Sequence, residues 1–368
     1  MRKAMQVGLW VMASALTVLP SFAREAPPPE VVGRVESDPR LAAASRAWHD
    51  AWRANIEAYL RTVAAHGTPR DRLTAGLLWP LEEGGPGAQT RRWVEEAYAA
   101  STGDDPVVDG MLLDTCPRVG ARCDRARLLQ RLMAADPDNA EVLLTAYHDA
   151  IQRDDAAAAE RYWQAAAHAT RYRARFNDIG LRMATTLRQV PAPPLDPALA
   201  AAMGEDVGLG RAATPKDVAD IAVMAFAAAI AMPSLTPVTQ RCRPQIGELP
   251  ADERSVCKRI YTLMAADTSI LIGPAIALPQ LVRWADTDAE RALARERLRR
   301  FAWVYENVMQ LYQRPADARR LPDDHVDVFL RDGELAAMHL QLQANGIAVE
   351  PPAGWQPENP GYRALLTP

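Results

Sequence analysis

A serine and a lysine three residues apart, Ser255 and Lys258, make the one spacing in this sequence that would build a nucleophile locally. On a helix, S-x-x-K sets the lysine one turn from the serine, where its amine takes the hydroxyl proton. The companion S-D-N and K-T-G motifs are absent, so the pair reads as a solvent-facing serine and lysine. Asp323-Asp324-His325 with Asp327 is the only cluster of metal-ligand residue types close together in the sequence. Acids there suit a helix start, where they cap free N–H groups and oppose the macrodipole. His148-Asp149 reads as a surface pair. No H-E-x-x-H, G-x-S-x-G or phosphate loop occurs. We therefore expect no motif-marked catalytic residue, no metal and no cofactor.

Four cysteines remain: Cys116, Cys123, Cys242 and Cys257. How they are read depends on compartment. Arg2 and Lys3 precede an apolar stretch, Val7 to Leu19. Pro20 follows, and Ser21-Phe22-Ala23 sets small residues at −3 and −1 of a peptidase site. Residues 1–23 are thus expected to be a cleaved signal peptide, its apolar run too short to span a bilayer. The protein is then periplasmic or secreted, where an even number of cysteines favours disulfides. Three connectivities exist, and the two local ones, Cys116–Cys123 and Cys242–Cys257, are favoured. Pro117 and Gly120 are expected to break the helix between the first pair, and Pro244, Gly247 and Pro250 to make a loop between the second. Structural zinc would want paired C-x(2–4)-C knuckles, which these spacings lack.

The formal charge is −4 and becomes −6 once Arg2 and Lys3 are removed. That balance disfavours nonspecific nucleic-acid binding. Ala, Leu, Arg and Glu dominate and β-branched residues are sparse, so the chain is biased to helix. The run Ile221–Met232 is too short and Ala-rich for a membrane span and is expected to be a buried helix, so no stable membrane insertion is expected.

Helix starts are spelled out along the chain. Asp38-Pro39 and Thr68-Pro69 pair a cap with proline at the first turn. The first helix carries Trp48, Trp52, Ile56 and Tyr59 on one side and runs to Gly67; another covers about 88–101. Leu128, Leu129 and Leu132 form a stripe that stops at Asp136-Pro137-Asp138-Asn139. Two antiparallel helices follow, separated by Arg153-Asp154-Asp155, and the Arg171, Arg173 and Arg175 cluster is placed at a helix end. Further helices are expected near 214–232, 252–267, 274–285, 287–314 and 323–345. The organisation expected is a Pro-rich leader (24–38), an N-terminal helical region (39–190), a linker (191–213), a C-terminal helical region (214–346) and a Pro-rich tail (347–368) over the surface. Leu132-Met133-Ala134-Ala135-Asp136 recurs as Leu263-Met264-Ala265-Ala266-Asp267.

With Pro137 closing one unit, Leu143, Ala146, Ala150, Ala159, Trp163 and Ala166 fall where a tetratricopeptide repeat places small or apolar residues. The stretch at about 140–173 resembles that repeat, departing from it at Tyr147, where the family wants a small side chain. The resemblance implies an all-α fold of antiparallel helix pairs, stacked as a tetratricopeptide-like α-solenoid or an irregular helical array, with a concave face for a protein partner. Trp48, Trp52 and Tyr59, and the pair Tyr147 and Trp163, are the candidates to line that face; at helical spacing the competing reading is packing core. The function expected is an exported protein-binding scaffold, with neutralisation of a secreted toxin, as an immunity protein, the narrower form. The alternatives are a hydrolase acting on cell-envelope material through carboxylates no motif reveals, and an envelope assembly factor.

Overall fold

The computed structural model describes residues 33–80, 87–230, 235–243, 249–315 and 318–367. The expected signal peptide and residues 24–32 of the leader lie outside the described residues. Within those described, the chain is all-α, with eighteen helices and no strand. They are α1 (Arg34–Ser37), α2 (Pro39–His66), α3 (Pro69–Leu78), α4 (Ala88–Ala100), α5 (Pro106–Val119), α6 (Arg125–Ala135), α7 (Ala140–Gln152), α8 (Ala156–His168) and α9 (Phe176–Arg188). There follow α10 (Pro197–Val207), α11 (Pro215–Ile230), α12 (Thr236–Arg241), α13 (Ala251–Met264), α14 (Ile272–Arg283), α15 (Asp288–Gln313), α16 (His325–Asp332), α17 (Glu334–Ala344) and α18 (Pro360–Leu366).

Local chemistry starts many of them. Asp38, Thr68, Asp105, Asp124, Asn139, Asp155, Asp196 and Asn359 each accept a hydrogen bond from a first-turn amide. Each such cap contributes about 1 kcal/mol by satisfying an amide the helix leaves unpaired. Prolines 39, 69, 106, 197 and 360 occupy the first turn, where no N–H is needed.

The helices gather into two compact units, each built from three stretches of chain. One takes the chain up to Cys123, Asp178–Ala231 and Arg314–Val326; the other takes Asp124–Asn177, Met232–Gln313 and Asp327–Pro368. The first unit buries Leu60, Trp93, Leu112, Leu113, Met183 and Leu199. Bidentate Arg70–Asp105, Arg188–Asp220 at 2.6 Å and Arg182–Asp71 tie its helices together. The second unit is built round the α7–α8 hairpin, which turns at Asp154 in the left-handed region (φ 55°). Its open end is tied shut, since Asp138 O accepts from Thr170 and Arg171 amides and Asn139 Oδ1 accepts from Arg173 N. Against the hairpin pack α12 and α13, followed by α14, α15, α17 and α18 around Trp163, Ile260, Met264, Leu298 and Leu311.

Both local disulfides are present, Cys116–Cys123 and Cys242–Cys257, with Cα separations of 6.1 and 5.7 Å. The first is closed differently from the expectation. Pro117 sits inside α5, and the chain turns only at Gly120, whose left-handed backbone (φ 64°) lets Ala121 N reach Cys116 O.

Several stretches differ from the sequence reading. The single helix expected over 323–345 is two, because Gly333 (φ 97°) interrupts it. A Cβ there would lie 2.4 Å from Thr268 O, so a tertiary approach sets the break. The stretch 191–213, expected as a linker, contributes α10 and runs within one unit. At the leader's end, α1 is docked by Asp206, which accepts from the Arg34 and Val35 amides, and Val35 is buried. The tail is anchored too: α18 buries Tyr362, while Arg295 donates to Leu365 O. The Arg171, Arg173 and Arg175 cluster lies beyond the end of α8, in the segment that closes the hairpin.

Candidate partner-binding surface

The aromatic stripe of α2 is already covered by its own chain. Trp48 and Trp52 are buried and in ring contact, and Tyr59 is half-buried. Polar groups on the same helix address the segment Gln189–Pro193. Trp48 Nε1 donates to Pro193 O at 2.9 Å, Asn55 Nδ2 to Pro191 O at 2.8 Å, and Tyr59 OH to Gln189 Oε1. A Pro-rich stretch has carbonyls with no partner of its own, and the Trp48 indole and Asn55 amide satisfy two of them. Trp48 and Trp52 are therefore core, and the expected partner groove is filled from within.

Tyr147 and Trp163, on facing helices of the α7–α8 hairpin, meet with ring centroids 5.1 Å apart. Both are buried, Trp163 completely. The small residue that the repeat pattern wants at 147 is replaced by a ring that fills the space over Trp163. Arg241, the last residue of α12, closes that aromatic pair. Its Cζ lies 4.6 Å from the Trp163 ring centroid and 5.6 Å from that of Tyr147. Nε and Nη2 bind Glu253 at 2.7 and 3.1 Å, and Nη2 also binds Glu160 at 2.6 Å. Burial works against the guanidinium charge, but the bonds to Glu253, Glu160 and Tyr147 outweigh it and raise its pKa further. The next residue, Cys242, is buried and bonded to Cys257 on α13. A six-residue helix has little stability of its own, so the disulfide, the ion pairs and buried Leu235, Pro237 and Val238 hold α12 in place.

Beside this closure lies an open cavity of about 300 Å³. It is lined by Tyr147, His148, Ile151 and Gln152 of α7 and Thr236, Pro237, Gln240 and Arg241 of α12. Ile151 is 41% exposed on its rim. The lining offers apolar surface, hydrogen-bonding groups and one charge-balanced cation on a fixed base. Such a surface suits recognition of another macromolecule more than bond-making. Of the residues that carry it, Tyr147 and Trp163 were legible from spacing. Arg241 and Ile151 were not, and the only sequence signal for Arg241 is that it precedes a half-cystine.

The motif candidates are placed as follows. Ser255 is exposed, while Lys258 donates to Asp286 at 2.7 Å and Glu290 at 2.8 Å. Partial burial would lower the lysine pKa, yet these acids raise it, keeping the amine protonated and unfit to take a serine proton. Asp323 pairs with Arg211, and no metal-binding group of three occurs among the described residues. His148–Asp149 is not a surface pair: Asp149 is buried and accepts from Arg125 at 2.7 Å and Arg153 at 2.9 Å.

Two carboxyls of the second unit have raised pKa values. Asp267 is pushed up by burial, although its Oδ1 accepts from Ser269 N and Oγ at 2.9 and 2.6 Å. Glu334 is raised to about 7, by burial first and then by Asp267, although it accepts from Leu271 N at 2.6 Å. Glu334 N and Leu335 N in turn donate to Ser269 O and Thr268 O. The two acids thus belong to a joint between the 267–271 turn and the start of α17, and neither lines the cavity beside α12.

No family model, curated protein or solved structure compared with the chain matches it.

Proposed function

We propose that this protein is an exported α-helical scaffold that binds another protein through the α7–α12 surface. The observation that carries the reading is the open cavity beside Arg241, with a rigid aromatic floor beneath it and Ile151 exposed at its rim. A rigid floor reduces the ordering cost of association, and an exposed apolar rim next to it gives a partner side chain a place to bury. Two disulfides support an oxidising, extracytoplasmic setting. Among the described residues no helix is long and apolar enough to cross a membrane. Neutralisation of a toxin delivered into that compartment is the narrower form of the reading, and an assembly factor for the envelope differs from it only in partner. The full mature chain, immobilised and exposed to periplasmic extract, is expected to retain a stoichiometric partner that Ile151→Asp releases. No retained protein, or equal retention by the variant, would contradict the reading.

A hydrolase reading draws on Asp267 and Glu334, whose raised pKa values suit proton transfer. Both carboxyls are engaged by backbone amides inside a joint, so a substrate would have to open that joint to reach them. Release of soluble fragments from purified cell-wall sacculi, abolished by Glu334→Gln, would favour this reading over the scaffold.

A further inference from the structure

A second concavity, of about 370 Å³, opens in the other unit between α2 and α4. Its base is small and apolar, formed by Ala64 and Trp93, both buried. Arg61 and Arg92 flank it, with side chains 59% and 64% exposed. Neither guanidinium is saturated. Arg61 has Glu57 as acceptor at 3.2 Å, and its Cζ lies 4.9 Å from the ring centroid of Trp79. Arg92 meets Glu96 at 3.4 Å and the Gln89 side-chain oxygen at 3.3 Å, the same oxygen that accepts from Trp93 Nε1 at 2.8 Å. Trp79 packs edge-on against Trp93, with centroids 5.1 Å apart. The ring beneath Arg61 is therefore itself fixed, and stacking limits the orientations of the guanidinium above it.

Each guanidinium carries five N–H donors in a planar fork, so most donors here have no acceptor within the described protein. A planar carboxylate satisfies such forks two bonds at a time, which a spherical or tetrahedral anion does less well. Glu96 also lines the notch and opposes an incoming anion, and Glu57 pairs with Arg61, but each guanidinium keeps donors beyond those its one carboxylate partner takes up. We propose that the Arg61–Arg92 notch is a carboxylate-binding site that anchors an acidic segment of a partner protein, with one Asp or Glu side chain seated between the two arginines. The notch has room for one or two side chains, and the Ala64–Trp93 base accepts the methylenes of a glutamate. The assignment stands on its own geometry and does not depend on the α7–α12 surface.

Titration calorimetry of the full mature chain with capped tetraglutamate at low salt tests it. Saturable binding is expected, weakened about tenfold by either Arg61→Gln or Arg92→Gln, because each removes a charge-assisted hydrogen-bond pair. Arg300→Gln, an exposed arginine of the other unit, should leave the affinity unchanged. Far-UV circular dichroism of the variants should match the parent. Absence of saturable binding, parental affinity in both notch variants, or equal affinity for inorganic phosphate would overturn the carboxylate assignment. Tighter binding by Glu82→Gln/Glu83→Gln would assign the notch to the chain's own acids and overturn the partner.

Discussion

The two aromatic regions that helical spacing marks for burial end differently. On α2, Trp48, Asn55 and Tyr59 hold Gln189–Pro193 of the same chain by hydrogen bonds to its backbone and side chain. On the α7–α8 hairpin, Tyr147 and Trp163 are closed by one arginine, and the surface beside it stays open. An amphipathic stripe states that an apolar face must be covered, but not by what. Where the cover is a long Pro-rich segment, the face is spent on folding. Where the cover is one pinned side chain, apolar surface is left over at its edge, and Ile151 is that remainder.

The largest effect expected from breaking this contrast comes from Trp163→Ala. Removing a fully buried indole should lower unfolding stability by about 3–5 kcal/mol in denaturant titration, whereas Trp48→Phe keeps most of the ring, loses one hydrogen bond and should cost about 1 kcal/mol. Next comes Cys242→Ala/Cys257→Ala, expected to cost about 3 kcal/mol in the chain-entropy model for a 15-residue loop. This variant should also free α12, so that amides of residues 235–242 exchange faster with deuterium while those of α2 do not change. Unchanged exchange there would show that the ion pairs of Arg241 suffice to hold the helix.

Two acids, one in each unit, are shifted with opposite sign. In the first unit Asp217 is lowered to about 2, the bonds from Arg211 and Thr214 outweighing its burial. The stability it contributes is present above its ordinary 3.8 and is lost as pH falls through about 2. In the second unit Glu334 is raised from its ordinary 4.5 to about 7, so its contribution is full below 4.5 and is lost as pH rises through about 7. Glu334→Gln keeps an acceptor for Leu271 N without the charge. It should therefore stabilise the protein at pH 8.5 by on the order of 2 kcal/mol and change little at pH 4. A variant no more stable than the parent at pH 8.5 would show that the joint does not oppose the ionised form. The smallest stability effect belongs to Ile151→Asp, an exposed position, expected within about 0.5 kcal/mol of the parent.

Much of the helical frame was legible because its starts are local. Asp38-Pro39, Thr68-Pro69, Asn139 and Asp155 cap helices through their own side chains, so no distant contact is needed to read them. The local cysteine pairing followed from the same kind of short-range reasoning. What could not be read is set by residues far apart in sequence. Gly333 divides α16 from α17 because Thr268 comes too close for a side chain. The covering of α2 by Gln189–Pro193 joins positions more than a hundred residues apart. Arg241 carries no local signal beyond preceding a half-cystine and becomes a site residue only when Cys242 is bound to Cys257 and Trp163 lies beneath it. Glu334 looks like an ordinary helix acid until the turn carrying Asp267 is packed on it.

Hydrogen–deuterium exchange of the full chain, alone and with the partner captured from periplasmic extract, tests the central claim most directly. The account predicts slowed exchange at residues 147–152 and 236–241, with the α2 stripe and residues 189–194 unchanged. Protection confined to the α2 stripe and residues 189–194, with none around Arg241, would contradict it.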